Sequence, residues 1–229
     1  MREFNALAGY PDPKQPRYVG PDIRTITHRI VAAYRDREYY DGDRNFGYGG
    51  FAYDGRWVPI ARNMYQEYGL VKDSAVLQVG CEKGFLLHDF RQLDPNLKVS
   101  GTDISDYVVA HSMDSVKPFI RKAPFIALPF ADKEFDLVIA IGVVYTLNLA
   151  DAMACLREIQ RVGKGRSFIT LAAYRTPEEK QLFEWWTVLG ATLLHEEEWV
   201  EVLRHVGYTG DYKFTTARSL ALTSKAAQP

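Results

Sequence analysis

The spacing of apolar residues changes near position 75, and the two sides of that change predict different structures. Before it, Trp57, Ile60, Ala61, Met64, Tyr65 and Tyr68 recur at helical intervals, and Gly69 stands where a helix should stop. This stripe predicts a helix over 57–68 packed on a sheet. Ile23, Ile26, Ile30 and Tyr34 share one helical face, which predicts an amphipathic helix over 22–36 lying against something larger as a lid or flank. After residue 75, short apolar runs at 75–79, 98–103, 124–127, 136–142, 166–173 and 211–219 alternate with amphipathic stretches at 84–93, 105–117, 149–162, 177–190 and 196–206. Strands alternating with helices predict βαβ units and a parallel sheet. Thr176-Pro177-Glu178-Glu179 supplies a hydroxyl cap, a first-turn proline and acids at one helix start, and Gly163 and Gly207 follow two helix ends.

The N-terminal flank reads differently. Prolines at 11, 13, 16 and 21 make residues 1–20 an extended arm, because proline blocks helix continuation. Residues 38–57 hold five glycines and seven aromatics with neither helical nor strand period. Two readings of this structured loop stand open: aromatics plugging a surface seam, with Tyr39, Tyr40, Phe46 and Phe51 largely in packing roles, or a lid over a ligand. The chain of 229 residues is read as one domain over 1–229, with an arm and lid over 1–56 and a Rossmann-like core over 57–220.

Composition narrows the function classes. Lys and Arg total 28 against 29 Asp and Glu, so no global field gathers a phosphate backbone or anionic lipid, and nucleic acid is not the expected substrate. The longest apolar runs fall far short of the ~20 residues that span a bilayer, and the first residues form no signal peptide. Cys81 and Cys155 give neither a disulfide framework nor metal-ligand spacing, which fits a reducing cytoplasm. The five histidines show no ligating spacing, so no metal is implied. The expected setting is cytoplasmic, without membrane or nucleic-acid partners, as a monomer or homodimer acting on a small molecule.

The chemistry concentrates in Ala75-Val76-Leu77-Gln78-Val79-Gly80-Cys81-Glu82-Lys83-Gly84, a strand running into a glycine turn and then a helix. Gly80 permits a sharp turn and close approach of a ligand, Gly84 lets the helix begin tight against the strand, and the helix N-terminus offers free N–H groups to a carboxylate. Asp103 closes the next strand about 20 residues later, where an acid would hold a ribose diol. Leu128-Pro129-Phe130 and Phe135-Asp136-Leu137-Val138 follow. These motifs, in this order, resemble the class I S-adenosylmethionine (SAM) dependent methyltransferases over roughly residues 57–175. The resemblance implies an α/β fold: a doubly wound, seven-stranded, mostly parallel sheet with an N-terminal helical or loop lid, and SAM at the carboxyl ends of its strands. It implies that Gly80, Cys81 and Gly84 line the methionine end, that Asp103 holds the ribose, that Ile104 and Phe125 lie by the adenine, and that Gly142 and Tyr145 border the sulfonium and the substrate. The aromatic loop and Tyr208-Thr209-Gly210-Asp211-Tyr212 also resemble, more weakly, small bacterial methyltransferases of sugar and natural-product pathways.

Three positions depart from the family pattern. Gln78 replaces an acid, Glu82 replaces the second glycine, and Pro124 replaces a polar residue before Leu128-Pro129-Phe130. Glu82 either points to solvent or stands near the ligand's ammonium group. The acceptor side is expected in the loop carrying Arg44, Tyr48, Tyr53 and Asp54 and in the Tyr174-Arg175 pair, while Trp185 and Trp186 read as core. Candidate bases are Tyr145, Tyr174, Tyr48 or a carboxylate of the 41–54 loop. Three functions remain: methyl transfer to a nitrogen or oxygen nucleophile, cyclisation of SAM on itself to azetidine-2-carboxylate and methylthioadenosine, and a catalytically silent SAM-fold binding module.

Overall fold

The computed structural model describes residues 1–227. In chain order its elements are β1 (Arg2–Glu3), β2 (Arg17–Val19), α1 (Ile26–Ala33), α2 (Arg37–Asp41), α3 (Val58–Glu67), β3 (Ala75–Val79), α4 (Phe85–Leu93), β4 (Lys98–Asp103), α5 (Asp106–Ala110), β5 (Ile120–Lys122), β6 (Leu137–Ala140), α6 (Leu149–Val162), β7 (Ser167–Tyr174), α7 (Pro177–Trp186), β8 (Leu194–His195), α8 (Glu196–His205), β9 (Asp211–Thr215) and β10 (Leu222–Ser224). Seven strands lie in the order β1-β9-β7-β6-β3-β4-β5, with β8 beside the end of β7. Every pairing described within this sheet is parallel. The near-continuous burial of Leu137–Ala140 and Ser167–Ala173 follows, since a parallel sheet is covered on both faces. One face packs on α3 and α4 through Ile60, Met64, Leu86 and Phe90, and the other on α6 and α8 through Leu156, Ile159, Trp199 and Leu203. The Trp199 indole, fully buried, satisfies its N–H on the Ala172 carbonyl at 2.7 Å.

Several boundaries move for local reasons. The expected strand at 124–127 is not formed. The edge strand lies earlier, at β5, and its pairing with β4 ends when Ala123 donates to the Asp103 carbonyl at 2.9 Å, after which Pro124 has no N–H to give. The stretch 105–117 is helical only over α5, followed by a short 3₁₀ turn at Lys117–Phe119 that opens on Pro118. The expected strand 211–219 stops at Thr215; a Thr216–Ser219 hydrogen-bonded turn then leads to β10, which pairs with β2. The arm is thereby held at both ends, β1 on β9 and β2 on β10. α1 turns its predicted apolar face outward, with Ile26, Ile30 and Tyr34 at 70%, 52% and 74% exposure. It is held instead by Ala32, which is fully buried, and by Arg29, which donates to the Glu184 carbonyl at 2.7 Å. No helix of the described residues is long and apolar enough to cross a membrane.

Candidate active site

The turn after β3 is built almost wholly from backbone. The N–H groups of Gly80 and Cys81 both donate to the Thr102 carbonyl, at 2.8 and 3.0 Å. Gly80 has φ +67°, and a Cβ there would stand 2.3 Å from Val143 Cγ2. Gly84 has φ +78°, with Ile120 and Val116 each 2.7 Å from where a Cβ would lie, so this glycine serves the packing of α4 on its neighbours. Glu82 keeps a left-handed backbone, φ +51°, where a side chain costs about 1–2 kcal/mol. Its N–H donates to Asp103 Oδ2 at 3.0 Å, and that of Ser105 donates to Oδ1 at 2.9 Å. The Asp103 carboxylate is thus fixed at the end of β4, 2% exposed. Burial raises its pKa while the two backbone N–H bonds pull the other way.

The N-terminal segment folds over these strand ends. Asp41 at the end of α2 accepts from Lys83 Nζ at 2.9 and 2.7 Å, from the Tyr107 hydroxyl at 2.6 Å and from the Phe51 N–H at 2.9 Å. One carboxylate therefore joins the lid to the glycine turn and to α5. Although its partial burial works against ionisation, these donors hold its pKa at about 2. Arg35, at φ +49°, accepts the Ser105 hydroxyl on its carbonyl and donates to Thr146 Oγ1 at 2.9 Å. Tyr40, 1% exposed, packs between Tyr48 and Tyr107 above Asp103. The aromatic loop packs over the strand ends through Tyr40, Tyr48 and Phe51, the packing role expected for its aromatics.

Beside the lid opens a cavity of about 750 Å³, walled by the arm, the 44–57 loop, the ends of β3, β6 and β7, and the segment after α7. Gln78, Glu82, Gly142, Tyr145 and Tyr48 line it. The Tyr48 hydroxyl donates to Glu82 Oε1. Both side chains line this cavity, and burial pushes the Glu82 carboxyl up to about 8, helped by the charge of Asp103 and opposed by the Tyr48 hydrogen bond. Glu82 is partly buried, and its carboxylate is engaged by the Tyr48 hydroxyl. Gln78 is 5% exposed, and its Oε1 finds no donor among the described residues.

The other expected residues fall into two groups. Asp103 and Ile104 lie beneath the lid, outside the open cavity; Cys81 and Phe125 are buried, the thiol beside Gly101 and the ring end 3.8 Å from a Cβ placed at Gly80. Tyr174 does not reach the cavity lining: its ring meets His195 and lies under Lys180 Nζ. Arg175 pairs with Glu196, Tyr53 with Asp89, and Asp54 with Arg56, which leaves Arg44 and Tyr48 as the cavity residues among the expected flank. Trp186 is only partly core. It packs near Val19 and Leu222, but it also lines the cavity, with Arg17, Arg24 and Arg44 around its ring. The indole and two of those arginines carry no motif, and only the arm's return onto β10 brings them together.

Comparison with known proteins bears on the fold that carries this site. Residues 77–171 match the family model described as a methyltransferase domain. The chain is 32% identical over 117 residues to cycloartenol-C-24-methyltransferase of Arabidopsis thaliana, covering 47% of this chain and 33% of that protein. It is 29% identical over 116 residues to malonyl-(acyl-carrier protein) O-methyltransferase of Pseudescherichia vulneris, covering 49% and 45%. The chain thus spans less than half the length of these curated relatives. Among solved structures, the (4+2)-cyclase SpnF superposes with a TM-score of 0.54 at 17% identity, over 82% of this chain and 74% of that one, a likeness of fold.

Proposed function

We infer, from a chain that carries the class I SAM-dependent methyltransferase domain at residues 77–171, that this protein transfers a methyl group from SAM to a nitrogen or oxygen nucleophile of a small molecule. The observation that carries the reading is the placement of Glu82: a carboxylate on the glycine turn, engaged by the Tyr48 hydroxyl and lining a cavity large enough for a second substrate. The residues present fit SAM. The unpartnered Gln78 Oε1 is a buried acceptor suited to an ammonium group, and Asp103, whose two backbone donors leave lone pairs free, is suited to a diol. When bound, the cofactor supplies an electrophilic carbon next to a sulfonium.

The chain's own part is alignment and proton removal. Gly142, with only the Tyr145 hydroxyl within 4.0 Å of where its Cβ would be, keeps the end of β6 open to the reacting groups. Glu82 takes the proton released by the acceptor, directly or through the Tyr48 hydroxyl that it already binds. Tyr145 shapes the wall rather than serving as base, because enclosure raises its pKa. Arg35 and Tyr40 cover Asp103, so binding requires the 34–51 segment to lift and close again.

That Glu82 and Gln78 line one cavity favours a second reading, in which Glu82 would accept the ammonium proton while that nitrogen displaced methylthioadenosine from the carbon beside sulfur, leaving an azetidine amino acid. Incubation with SAM alone, followed by mass analysis of the nucleosides, separates the two. Methylthioadenosine above an enzyme-free control sinks methyl transfer in favour of cyclisation, whereas intact, bound SAM retains methyl transfer and no binding removes both.

A further inference from the structure

The far wall of the cavity is built from cations that no carboxylate answers among the described residues. Around the Trp186 indole stand Arg24 with its guanidinium carbon 4.2 Å from the ring centroid, Arg17 at 5.1 Å and Arg44 at 5.5 Å. Arg24 and Arg44 are set in place by the backbone. Arg24 donates to the carbonyls of Trp186 and Arg44, and Arg44 to those of Gly47 and Tyr48. Arg17 is different: it is half-buried and, among the described residues, commits no side-chain donor to any partner. Among the described residues the acids on the cavity wall are Asp12 and Glu82, and neither forms an ion pair with these three arginines. Asp12 instead acts over a longer distance on Lys213, a further half-buried cation of the wall.

Burial and a neighbouring like charge act together on the two half-buried arginines of this wall, Arg17 and Arg24. Burial, and then the charge of Arg44, push the Arg24 guanidinium down to about 10 and act on Arg17 in the same direction. The chain carries 29 acids against 28 Lys and Arg, yet among the described residues none of those acids pairs with these three arginines. An arrangement of fixed guanidinium forks with unspent donors suits a planar or tetrahedral oxyanion, which would accept paired N–H bonds and relieve the repulsion at once. The Tyr48 segment links this wall to the reaction centre, since Tyr48 gives its carbonyl to Arg44 and its hydroxyl to Glu82.

We propose that the acceptor molecule is anionic and that its carboxylate or phosphate is held by Arg17, Arg24 and Arg44 around Trp186, with its nucleophile directed toward Glu82. The proposal rests on the SAM-dependent reading of the site and names its substrate class. It also gives the N-terminal arm a function, because Arg17 reaches the cavity only through the pairing of β2 with β10.

The test titrates the full chain with inorganic phosphate, and separately with acetate, at matched ionic strength, reading heat and tryptophan fluorescence. SAM is titrated into the same preparations. Saturable binding of either anion, additive with SAM and weakened at least tenfold by Arg17→Gln, is the expected result. Arg17→Gln removes no side-chain hydrogen bond among the described residues, and unchanged SAM affinity in that variant certifies the site; Lys213→Gln repeats the measurement from a separate position on the wall. If neither anion binds, or binding survives Arg17→Gln, the proposal fails while SAM binding still stands. If the anion and SAM compete, the arginines hold the cofactor's own carboxylate and the anionic acceptor is overturned. Failure of the wild type to bind SAM is a different outcome and removes the parent reading, leaving any anion site without an acceptor role.

Discussion

Replacing Glu82 with Gln tests the central chemical claim through two independent readouts. The carboxamide keeps the size of the side chain and an oxygen for the Tyr48 hydroxyl, so the change removes the ionisable charge and little else. In the folded protein the Glu82 carboxyl sits near 8, against an ordinary value of 4.5. Its sign follows from linkage: between those two values the folded state binds the proton more tightly than the unfolded chain, so stability falls as pH rises. The penalty is absent below about pH 4.5 and complete above about pH 8. At about 1.4 kcal/mol per pKa unit, it amounts to roughly 2 kcal/mol at pH 6 and up to about 5 kcal/mol at pH 9. Glu82→Gln should therefore match the wild type in chemical denaturation at pH 4 and exceed it increasingly toward pH 9. Activity should move in the opposite direction. The wild-type rate should climb about tenfold per pH unit below 8 and level above it, because only the ionised carboxylate accepts a proton. The variant should fall by about 10²–10³ in kcat with that slope lost. The groups facing Glu82 include Tyr48, Tyr39, Tyr40, Tyr145, the Cys81 thiol, Asp103, Arg35 and Lys83, and neither the tyrosines nor the thiol is shifted toward this range. A flat wild-type profile from pH 6 to 9, together with a stability difference that does not depend on pH, would refute the reasoning.

Other perturbations reach different parts of the site. Asp41→Asn removes the carboxylate that accepts from Lys83 and Tyr107 and should loosen the lid by about 2 kcal/mol, less than a fully buried pair would cost, read as faster amide exchange over 37–51. In the wild type the same contact, made by a group held at about 2, should persist down to about pH 4 and weaken as pH falls toward 2. Gln78→Leu removes a buried oxygen without a donor, so the fold should keep its melting temperature or gain a few degrees while SAM affinity falls about tenfold by calorimetry. Gly84→Ala forces a side chain into φ +78° and within 2.7 Å of Ile120 and Val116, and should lower stability by about 2–4 kcal/mol in a denaturant titration.

The core of this fold is legible because its signals are local. The strand, glycine turn and helix over 75–93, the acid that ends β4, and the apolar run of β6 each follow from short stretches whose period and punctuation agree with the final packing. Errors begin where a tertiary partner decides. Pro124 ends a ladder that hydropathy would continue, and α1 buries Ala32 rather than its isoleucines because Arg29 and Thr25 tie its polar side to α7 and to the helix start. Glu82 shows the same principle within the site. Its left-handed φ is still that of the glycine it replaces, which sequence comparison could suggest, but whether its carboxylate meets water or Tyr48 depends on a loop more than thirty residues away in the chain.

The acceptor half of the site lies furthest from what a sequence reveals, for a reason that bears on its function. Arg17, Arg24, Arg44 and Trp186 occupy a strand, a turn, a loop and a helix end, so no spacing rule connects them. Each is unremarkable alone, as a charged residue of an arm or an aromatic of an amphipathic helix. What distinguishes them is the absence of compensating acids among the described neighbours, a property of assembled surfaces rather than of segments. Exposed ion pairs contribute little to stability, and crowded, half-buried like charges contribute less than nothing. A protein that keeps such a cluster at the wall of its cavity has placed it where stability alone would not, and an anion arriving with the substrate is the partner that turns that unfavourable placement into binding energy.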